Sequence, residues 1–309
     1  MSRKFRFTGE CFEALKALYA QLSGKSKGHI LIEDPNPKKK SAPVEQKAEP
    51  APEKEPVQEE KKEPVNPLEV TEGKTLTVTR TNIGKVRTSN QDAVIDSWPL
   101  LGVADGMGGH QGGEVASSST RDLLVQQLKG KTPEATMLRN AITAVNRRLF
   151  IRQQEDKDLS GMGTTLTVMW VGKEKIYIGH VGDSRAYRFR DGELTQITSD
   201  HSMVAEMVRE GVLTLEQAAC HPMRNVITRA VGTEEGIDAD ILTEERKRGD
   251  VWLICSDGLH GMAGDAKMAE ILRVNPPEAA ADLLVEAAMD AGGRDNISLT
   301  LFVDGEDPE

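Results

Sequence analysis

Two periods of hydrophobic and polar positions alternate along the chain from Thr75 onward. Short runs rich in branched apolar residues predict β-strands, and longer segments with apolar residues three or four positions apart predict helices. The predicted strands are Leu76–Arg80, Ala93–Ser97, Leu100–Ala104, Thr164–Val171, Lys175–Val181, Ala186–Arg190, Val251–Cys255 and Ile297–Val303. The predicted helices are Gly113–Leu128, Pro133–Arg152, Ser202–Glu210, Asp265–Val274 and Pro277–Ala291.

Tight turns join several of the predicted strands. Gly172-Lys173 separates two of them, and Asp191-Gly192 is a strong hairpin signal after a third. Hairpins join antiparallel strands, and the helices must cover the faces of the sheets. We therefore expect an α/β (α+β) fold, a layered α-β-β-α sandwich of two mainly antiparallel sheets flanked by helices, rather than a doubly wound parallel sheet.

The segment before Thr75 differs from the rest of the chain. Residues 1–33 contain one amphipathic helical pattern, and one short helix cannot form a core. Residues 34–74 are rich in Pro, Glu and Lys, with 8 of the 14 prolines before residue 68, and such a stretch cannot bury enough apolar surface to offset the entropy of ordering. We expect a short helical element at 1–33, a disordered linker at 34–74 and a folded domain at 75–309. The helix must pack on the main domain, on a second copy of the chain, or on a partner.

The charge of the chain narrows the classes of function. The formal net charge is −10, and residues 75–309 alone carry −11, which argues against a nucleic-acid surface and against electrostatic membrane binding. No apolar run approaches the roughly 20 residues that span a bilayer, and the start of the chain does not resemble a secretion signal. Three cysteines in no paired spacing are typical of a reducing compartment. We therefore expect a cytoplasmic protein without a membrane span.

Aspartates recur where predicted strands end or begin. Asp105 and Asp257 each follow an apolar strand and precede a glycine, Asp183 follows a third strand, and Asp92 and Asp295 each open another strand. One Asp-Gly pair by itself most often makes a turn, but five aspartates at strand ends could converge. Converging carboxylates repel unless a cation bridges them, and all-oxygen ligands suit Mg²⁺ or Mn²⁺. Two such ions can hold a water that attacks phosphorus.

Six motifs, five of which contain one of these aspartates, carry a family resemblance. The segments 81–92, 103–109, 161–165, 182–187, 255–259 and 294–296 resemble, in this order, the motifs of the protein phosphatase 2C family, the metal-dependent Ser/Thr phosphatases, in their compact bacterial form. The resemblance covers about residues 75–304 and does not include residues 1–70.

The resemblance implies a role for each of these positions. Asp105 matches the carboxylate that bridges two metal ions, and the carbonyl of Gly106 matches a ligand of the second ion. Asp257 and Asp295 match the other carboxylates of the first ion.

Three further positions match residues around the two ions. Asp92 resembles the acidic residue that orients metal-bound water, and Asp183 resembles a ligand of a third, weaker metal site. Arg87 matches the arginine that binds the substrate phosphate. A guanidinium suits that role in any case, because its planar fork fits phosphate oxygens and it keeps its charge.

One position departs from the pattern of eukaryotic members. Those members have a histidine directly after the Asp-Gly pair as a proton donor, whereas this chain has Met107. His110 lies three residues further on and is an alternative donor, so the general acid stays unassigned.

Residues 201–229 resemble the mobile flap beside the active site of bacterial members. We expect helices at Ser202–Glu210 and Thr214–Ala219. Its methionines either pack in the interior or form an adaptable surface for a substrate or regulator: Met203, Met207 and Met223.

The resemblance implies a protein Ser/Thr phosphatase that hydrolyses phosphoserine and phosphothreonine by direct attack of a water bridging two Mn²⁺ or Mg²⁺ ions. The expected partners are phosphoproteins and an opposing Ser/Thr kinase. One alternative is a catalytically weak regulatory domain that binds phosphoproteins or a kinase. Another is a different two-metal hydrolase, such as a phosphodiesterase, but those enzymes usually recruit histidines and none lies in the aspartate motifs.

Overall fold

The computed structural model describes residues 63–108 and 112–306. Its strands are β1 (Leu76–Asn82), β2 (Asp92–Ser97), β3 (Leu100–Met107), β4 (Gly163–Thr164), β5 (Leu166–Val171), β6 (Lys175–Val181), β7 (Arg185–Arg190), β8 (Glu193–Gln196), β9 (Asp240–Glu245), β10 (Val251–Cys255) and β11 (Ile297–Val303). Its helices are α1 (Pro67–Val70), α2 (Gly112–Leu128), α3 (Ala135–Glu155), α4 (Met203–Arg209), α5 (Leu215–Ala219), α6 (Asp257–Ala263), α7 (Asp265–Val274) and α8 (Pro277–Asp290), and a short 3₁₀ turn covers Lys157–Leu159.

The strands form two antiparallel sheets. The first has the order β1-β11-β10-β7-β8, and the second has the order β2-β3-β5-β6-β9, with β4 beside β3. All of the pairings within the two sheets are antiparallel. The expected α+β sandwich is therefore confirmed.

Three buried clusters fill the spaces between four layers. Side chains of both sheets, among them Val103, Ile178, Trp252 and Phe302, form the cluster between the sheets. A second cluster lies between the second sheet and helices α2 and α3, and a third lies between the first sheet and helices α6 to α8. Strands β5 and β11 are buried at every position, and their sequences are mostly apolar, with Thr167 in β5 and Ser298 and Thr300 in β11 as buried polar residues.

Among the elements that escape prediction from sequence, β8, β9 and α6 show why. β8 and β9 are edge strands with polar or charged residues at exposed positions, so they lack the apolar signal of a central strand. Helix α6 contains two glycines, which weaken its helical pattern. The strand predicted at Thr164–Val171 is interrupted at Thr165, between β4 and β5.

The described chain begins inside the predicted linker. Residues 63–74 include α1, and the backbone N–H of Val65 donates a hydrogen bond to the carbonyl of Arg273 at 2.8 Å. Packing against the domain therefore starts before Thr75. The helix predicted at 1–33 and the linker residues 34–62 lie outside the described residues and stay predictions. Of the helices in the described part of the chain, none is long and apolar enough to cross a membrane.

Candidate metal centre and phosphate site

The two sheets bring four of the predicted aspartates to the same end of the sandwich. In the second sheet, Asp92 at the start of β2 stands directly opposite Asp105 near the end of β3. In the first sheet, Asp257 follows the end of β10 and Asp295 precedes the start of the antiparallel neighbour β11. Antiparallel pairing therefore converts four separate positions in the sequence into one cluster.

Hydrogen bonds between the sheets fix this cluster. The Ser256 hydroxyl donates to Oδ2 of Asp92 at 2.8 Å, which joins the residue before Asp257 to the carboxylate that opens β2. The backbone N–H of Gln91 donates to Oδ1 of Asn296 at 2.8 Å. Each bond connects a residue at a strand end of one sheet to a residue at a strand end of the other.

The backbone of Asp105 is held by Thr165. The N–H of Asp105 donates to the Thr165 hydroxyl at 3.0 Å, and the N–H of Thr165 donates to the carbonyl of Asp105 at 2.8 Å. The same hydroxyl is hydrogen-bonded to Ser184 at 2.8 Å, next to Asp183. The interruption between β4 and β5 thus positions a buried carboxylate and connects it to the loop that carries the fifth aspartate.

Gly106 lies where no side chain fits. Its N–H donates to the carbonyl of Gln91 at 3.0 Å, and a Cβ at this position would collide with the carbonyl of Gly113 at the start of α2. Gly258 is equally enclosed, since a Cβ there would collide with the carbonyl of Asn296. Glycine is therefore required after both Asp105 and Asp257 by close backbone packing.

Arg87 lies among the carboxylates. Its Nη2 donates to Oδ2 of Asp295 at 2.6 Å, and both side chains are partly buried. Burial lowers the pKa of Arg87, but the hydrogen bond to Asp295 and the charges of Asp295, Asp105 and Asp257 outweigh it, so the pKa is raised. The guanidinium therefore stays charged and acts as a fixed cation at the edge of the cluster.

Asp183 lies in the loop where the chain crosses from β6 in one sheet to β7 in the other, and it is buried. Nε2 of His260, on α6, donates to its carbonyl oxygen at 2.9 Å. The neighbouring Gly182 N–H donates to Nδ1 of His201 at 3.2 Å. The loop is thereby fixed from the helix that Asp257 begins and from the residue that opens the flap.

Behind this loop lies a half-buried ion pair. Nε and Nη2 of Arg185 each donate to an oxygen of Asp200 at 2.8 Å, and Nη1 donates to the hydroxyl of Tyr187 at 2.9 Å. Burial raises the pKa of Asp200, but the two hydrogen bonds and the charge of Arg185 lower it further than burial raises it. The bidentate pair fixes the start of β7.

The flap region has both predicted helices. They are α4 and α5, and the second carries a capping box between Thr214 and Gln217. Met203 and Met207 are buried, so these two methionines serve packing, whereas Met223 is half-buried.

The two ends of the flap meet at His201. Its carbonyl accepts from Thr228 N–H at 2.8 Å, and its ring lies against that of His180, with centroids 4.6 Å apart. Burial, followed by the charge of His201, lowers the pKa of His180 to about 4. A neutral, buried histidine pair therefore anchors the flap.

Met107 takes no part in the cluster. It pairs with Gly163 across β3 and β4, and its terminal methyl lies close to that glycine. His110 lies outside the described residues, so the general acid stays unassigned.

The donor set fits hard divalent cations. Asp92 and Asp105 stand opposite each other as like charges, which a cation relieves, and the enclosed Gly106 backbone offers a carbonyl beside the carboxylates. Within residues 63–108 and 112–306, no three His, Cys, Asp or Glu side chains meet the geometry of a formed metal site. Asp295 shares its carboxylate with Arg87, so ion binding there requires this side chain to adjust.

Sequence reasoning missed the residues that support the aspartates. Thr165, Ser256 and Asn296 fall inside the motifs, but no role was predicted for them. The only signal in the sequence is their position, since Ser256 and Asn296 adjoin an aspartate and Thr165 lies two residues after a glycine. The partner of each lies 60 or more positions away.

Comparison with known proteins agrees with this arrangement. The sequence profile described as protein phosphatase 2C matches residues 84–286. The chain belongs to the protein phosphatase 2C family. The match spans Arg87, Asp105, Asp183 and Asp257, whereas Asp295 lies just beyond it.

Several members of the family are close enough to align with most of the chain. The Mycobacterium tuberculosis serine/threonine protein phosphatase PstP is 39% identical over 72% of this chain, and the chain spans 43% of that relative's length. The Listeria welshimeri serine/threonine phosphatase stp is 37% identical over 72% of this chain and 93% of its own length. The PstP catalytic domain solved in complex with two manganese ions has a TM-score of 0.69 and 36% identity, over 74% of this chain and 99% of that one.

Proposed function

We propose that this chain is a metal-dependent protein phosphatase that hydrolyses phosphoserine and phosphothreonine on proteins. The observation that carries the proposal is the placement of Arg87 among Asp105, Asp257 and Asp295, at the end where both sheets deliver carboxylates. Relatives named serine/threonine phosphatases, alignable over most of this domain, support the substrate class.

The residues that would hold two Mn²⁺ ions are Asp105, Asp257, Asp295 and the carbonyl of Gly106. The chemistry that such ions supply is activation of water and neutralisation of phosphate charge. Mg²⁺ is an alternative occupant, because both ions prefer oxygen ligands. Asp183 is proposed as a ligand of a third, weaker site, supported by its buried position in the loop that Ser184 ties to Thr165.

Other residues of the chain bind the phosphate, orient the attacking water and position the ligands. Arg87 binds the phosphate with a guanidinium that is partly buried and keeps its charge at any physiological pH. Asp92 accepts a proton or a hydrogen bond from the attacking water, and Ser256 fixes the direction of its carboxylate. Thr165 and Asn296 maintain the relative positions of Asp105 and the loop that carries Arg87.

We also propose an opposing Ser/Thr kinase as a partner and the cytoplasm as the location. The kinase follows from the proposed activity, because a phosphatase needs a substrate that has been phosphorylated. The location follows from the free thiols of Cys220 and Cys255, which are typical of a reducing compartment. Burial raises the pKa of Cys255, so this thiol is not a nucleophile. The division into a helical element at 1–33, a linker and a phosphatase domain at 75–309 is part of the proposal, with the helix as a docking element.

The test compares Asp257→Asn with wild type in hydrolysis of p-nitrophenyl phosphate and of phosphothreonine peptides, with Mn²⁺ and with chelator. We expect a loss of kcat/KM beyond the roughly 10- to 100-fold that changes outside the ligand set cost. Asp96→Asn is the matched control, because Asp96 is an exposed aspartate on β2 that stands opposite Leu101 rather than at the strand end where the cluster lies. Near-normal turnover by a folded Asp257→Asn protein would refute the proposal.

A further inference from the structure

Two exposed aliphatic side chains lie beside the arginine assigned to phosphate. Among the large apolar side chains that the described part of the chain exposes, Val86 is 66% exposed and Ile83 is 40% exposed. Both belong to the turn that immediately precedes Arg87. Single exposed apolar residues need no explanation in general, so the argument depends on how this turn is built.

The turn is rigid because it is assembled on the backbone of the metal-site loop. Lys85 N–H donates to the carbonyl of Gly293 at 2.6 Å, and Gly84 N–H donates to the side chain of Asn82 at 2.8 Å. Gly84 has a φ of +80°, and a Cβ there would collide with the carbonyl of Asp295. Glycine is therefore required at this turn.

The buried side chain of Asn296 holds the loop at three further points. Its Nδ2 donates to the carbonyls of Ile83 and Ser89 at 2.9 and 3.0 Å, and its Oδ1 accepts from Gln91. The apolar side chains of this turn are thus presented to solvent by a preorganised backbone.

We infer that Val86, assisted by Ile83, contacts an aliphatic side chain of the substrate within two residues of the phosphorylated Ser or Thr. This inference rests on the proposed function. Consecutive Cα atoms are about 3.8 Å apart and Val86 adjoins Arg87, so a peptide whose phosphate binds Arg87 has its neighbouring residues within reach of Val86. A fixed apolar surface gains from burial without a further cost in ordering the loop. An aliphatic neighbour is the group that this surface fits best.

The experiment measures kcat/KM on a polar phosphothreonine peptide and on four variants with Val in place of Ser at positions −2, −1, +1 and +2. The readout is the ratio of kcat/KM for each Val peptide to that of the parent. For wild type we expect a ratio of roughly five at one or more positions. An enclosed apolar pocket gives a preference of roughly 10-fold or more, and we expect less here because Val86 is exposed. In Val86→Thr, which keeps the β-branched shape, the ratio should fall toward one, and Ile83→Thr should lower it less.

The matched control is Val70→Thr, because Val70 is an exposed valine on α1, before the first strand. This variant should keep the wild-type ratio and the wild-type hydrolysis of p-nitrophenyl phosphate. A wild-type ratio near one at all four positions overturns the inference, and so does an unchanged ratio in Val86→Thr with its fold verified by thermal melting.

Failure of the proposed function gives a different result. If the wild-type protein with Mn²⁺ hydrolyses neither p-nitrophenyl phosphate nor any peptide, both the proposed function and the inferred contact at Val86 are refuted. If it hydrolyses the small substrate normally but shows no preference among the peptides, only the inferred contact is refuted.

Discussion

At the scale of single residues, Asn296 connects its own loop, which contains the proposed metal ligand Asp295, to the loop that contains Arg87. Its amide makes hydrogen bonds to Ile83, Ser89 and Gln91 while it is almost fully buried. Its replacement would leave backbone groups from three positions of one loop without their partner, and Arg87 belongs to that loop.

Asn296→Ala should lower the free energy of unfolding by about 2 to 3 kcal/mol, since each buried group left unsatisfied costs about 1 to 3 kcal/mol and relaxation recovers part of it. Urea unfolding measures this change. The control is Asn275→Ala, which loses one hydrogen bond, to Ile271, and should cost less than half as much. Equal losses in the two variants would contradict the role given to Asn296.

His180 predicts a dependence of stability on pH. The pKa of this buried ring is lowered from 6.5 to about 4 in the folded protein, so the unfolded chain binds a proton between these values that the folded chain does not. Stability is therefore fully present above about pH 6.5 and declines as the pH falls toward 4, by about 3 kcal/mol at most. The pKa of His201 is lowered as well and contributes with the same sign.

Urea unfolding of wild type and His180→Gln at pH 7.5 and pH 5 measures this effect. Gln cannot titrate, so the difference between the two pH values should be smaller in the variant. The same difference in both proteins would show that His180 is not its source.

At the scale of elements, the break between β4 and β5 sets the end of β3. Thr165 lies opposite Asp105 in the register that β3 keeps with β4 and β5, and its N–H donates to the Asp105 carbonyl as in a regular ladder. At the break, the hydroxyl of Thr165 rather than its backbone carbonyl accepts from the buried N–H of Asp105, while that carbonyl accepts from the Thr164 hydroxyl.

Thr165→Val keeps the shape of the side chain and removes this acceptor. We expect a loss of about 1 to 3 kcal/mol in the free energy of unfolding and a roughly 10-fold higher Mn²⁺ concentration for half-maximal hydrolysis. Thr143→Val, at an exposed helical position, is the control and should change neither. An unaltered Mn²⁺ requirement in Thr165→Val would show that the break between β4 and β5 does not affect metal binding.

The elements also show how far the sequence determines this molecule. The central strands were predictable because burial on both faces leaves mostly apolar sequences, such as Leu-Thr-Val-Met-Trp-Val in β5. The edge strand β9 was not, because its sequence Asp-Ile-Leu-Thr-Glu-Glu is mostly polar, and two strands and two helices separate it from its partner β6 along the chain. The aspartates were predictable from their places at strand ends. The role of Ser256 was not predictable, because its hydroxyl binds the carboxylate of Asp92, which belongs to the other sheet.

At the scale of the whole molecule, the proposed ligands come from both sheets. Asp105 belongs to one sheet, and Asp257 and Asp295 adjoin the other. An ion that binds all three connects the two halves of the sandwich, so metal binding should stabilise the complete domain rather than one loop.

Thermal melting with Mn²⁺ and with chelator tests this coupling without measuring activity. A ligand at 100 times its Kd stabilises the folded state by about 2.7 kcal/mol, which for a domain of this size corresponds to a rise in Tm of about 5 to 10 °C. Asp257→Asn should lose most of this rise. A rise that persists in this variant would place the stabilising ion elsewhere.

The pairing of β1 with β11 has a consequence for how the protein is made. β11 lies between β1 and β10 in the first sheet, although the paired residues Asn82 and Ile297 belong to the first and the last strand of the domain. During synthesis β1 emerges early and waits without its neighbour until nearly the whole domain has left the ribosome, because such distant pairing cannot form sooner. Arg87 meets Asp295 only at that moment. The proposed phosphate site is therefore assembled only after the last strand of the domain has been synthesised, and a partly synthesised chain lacks it.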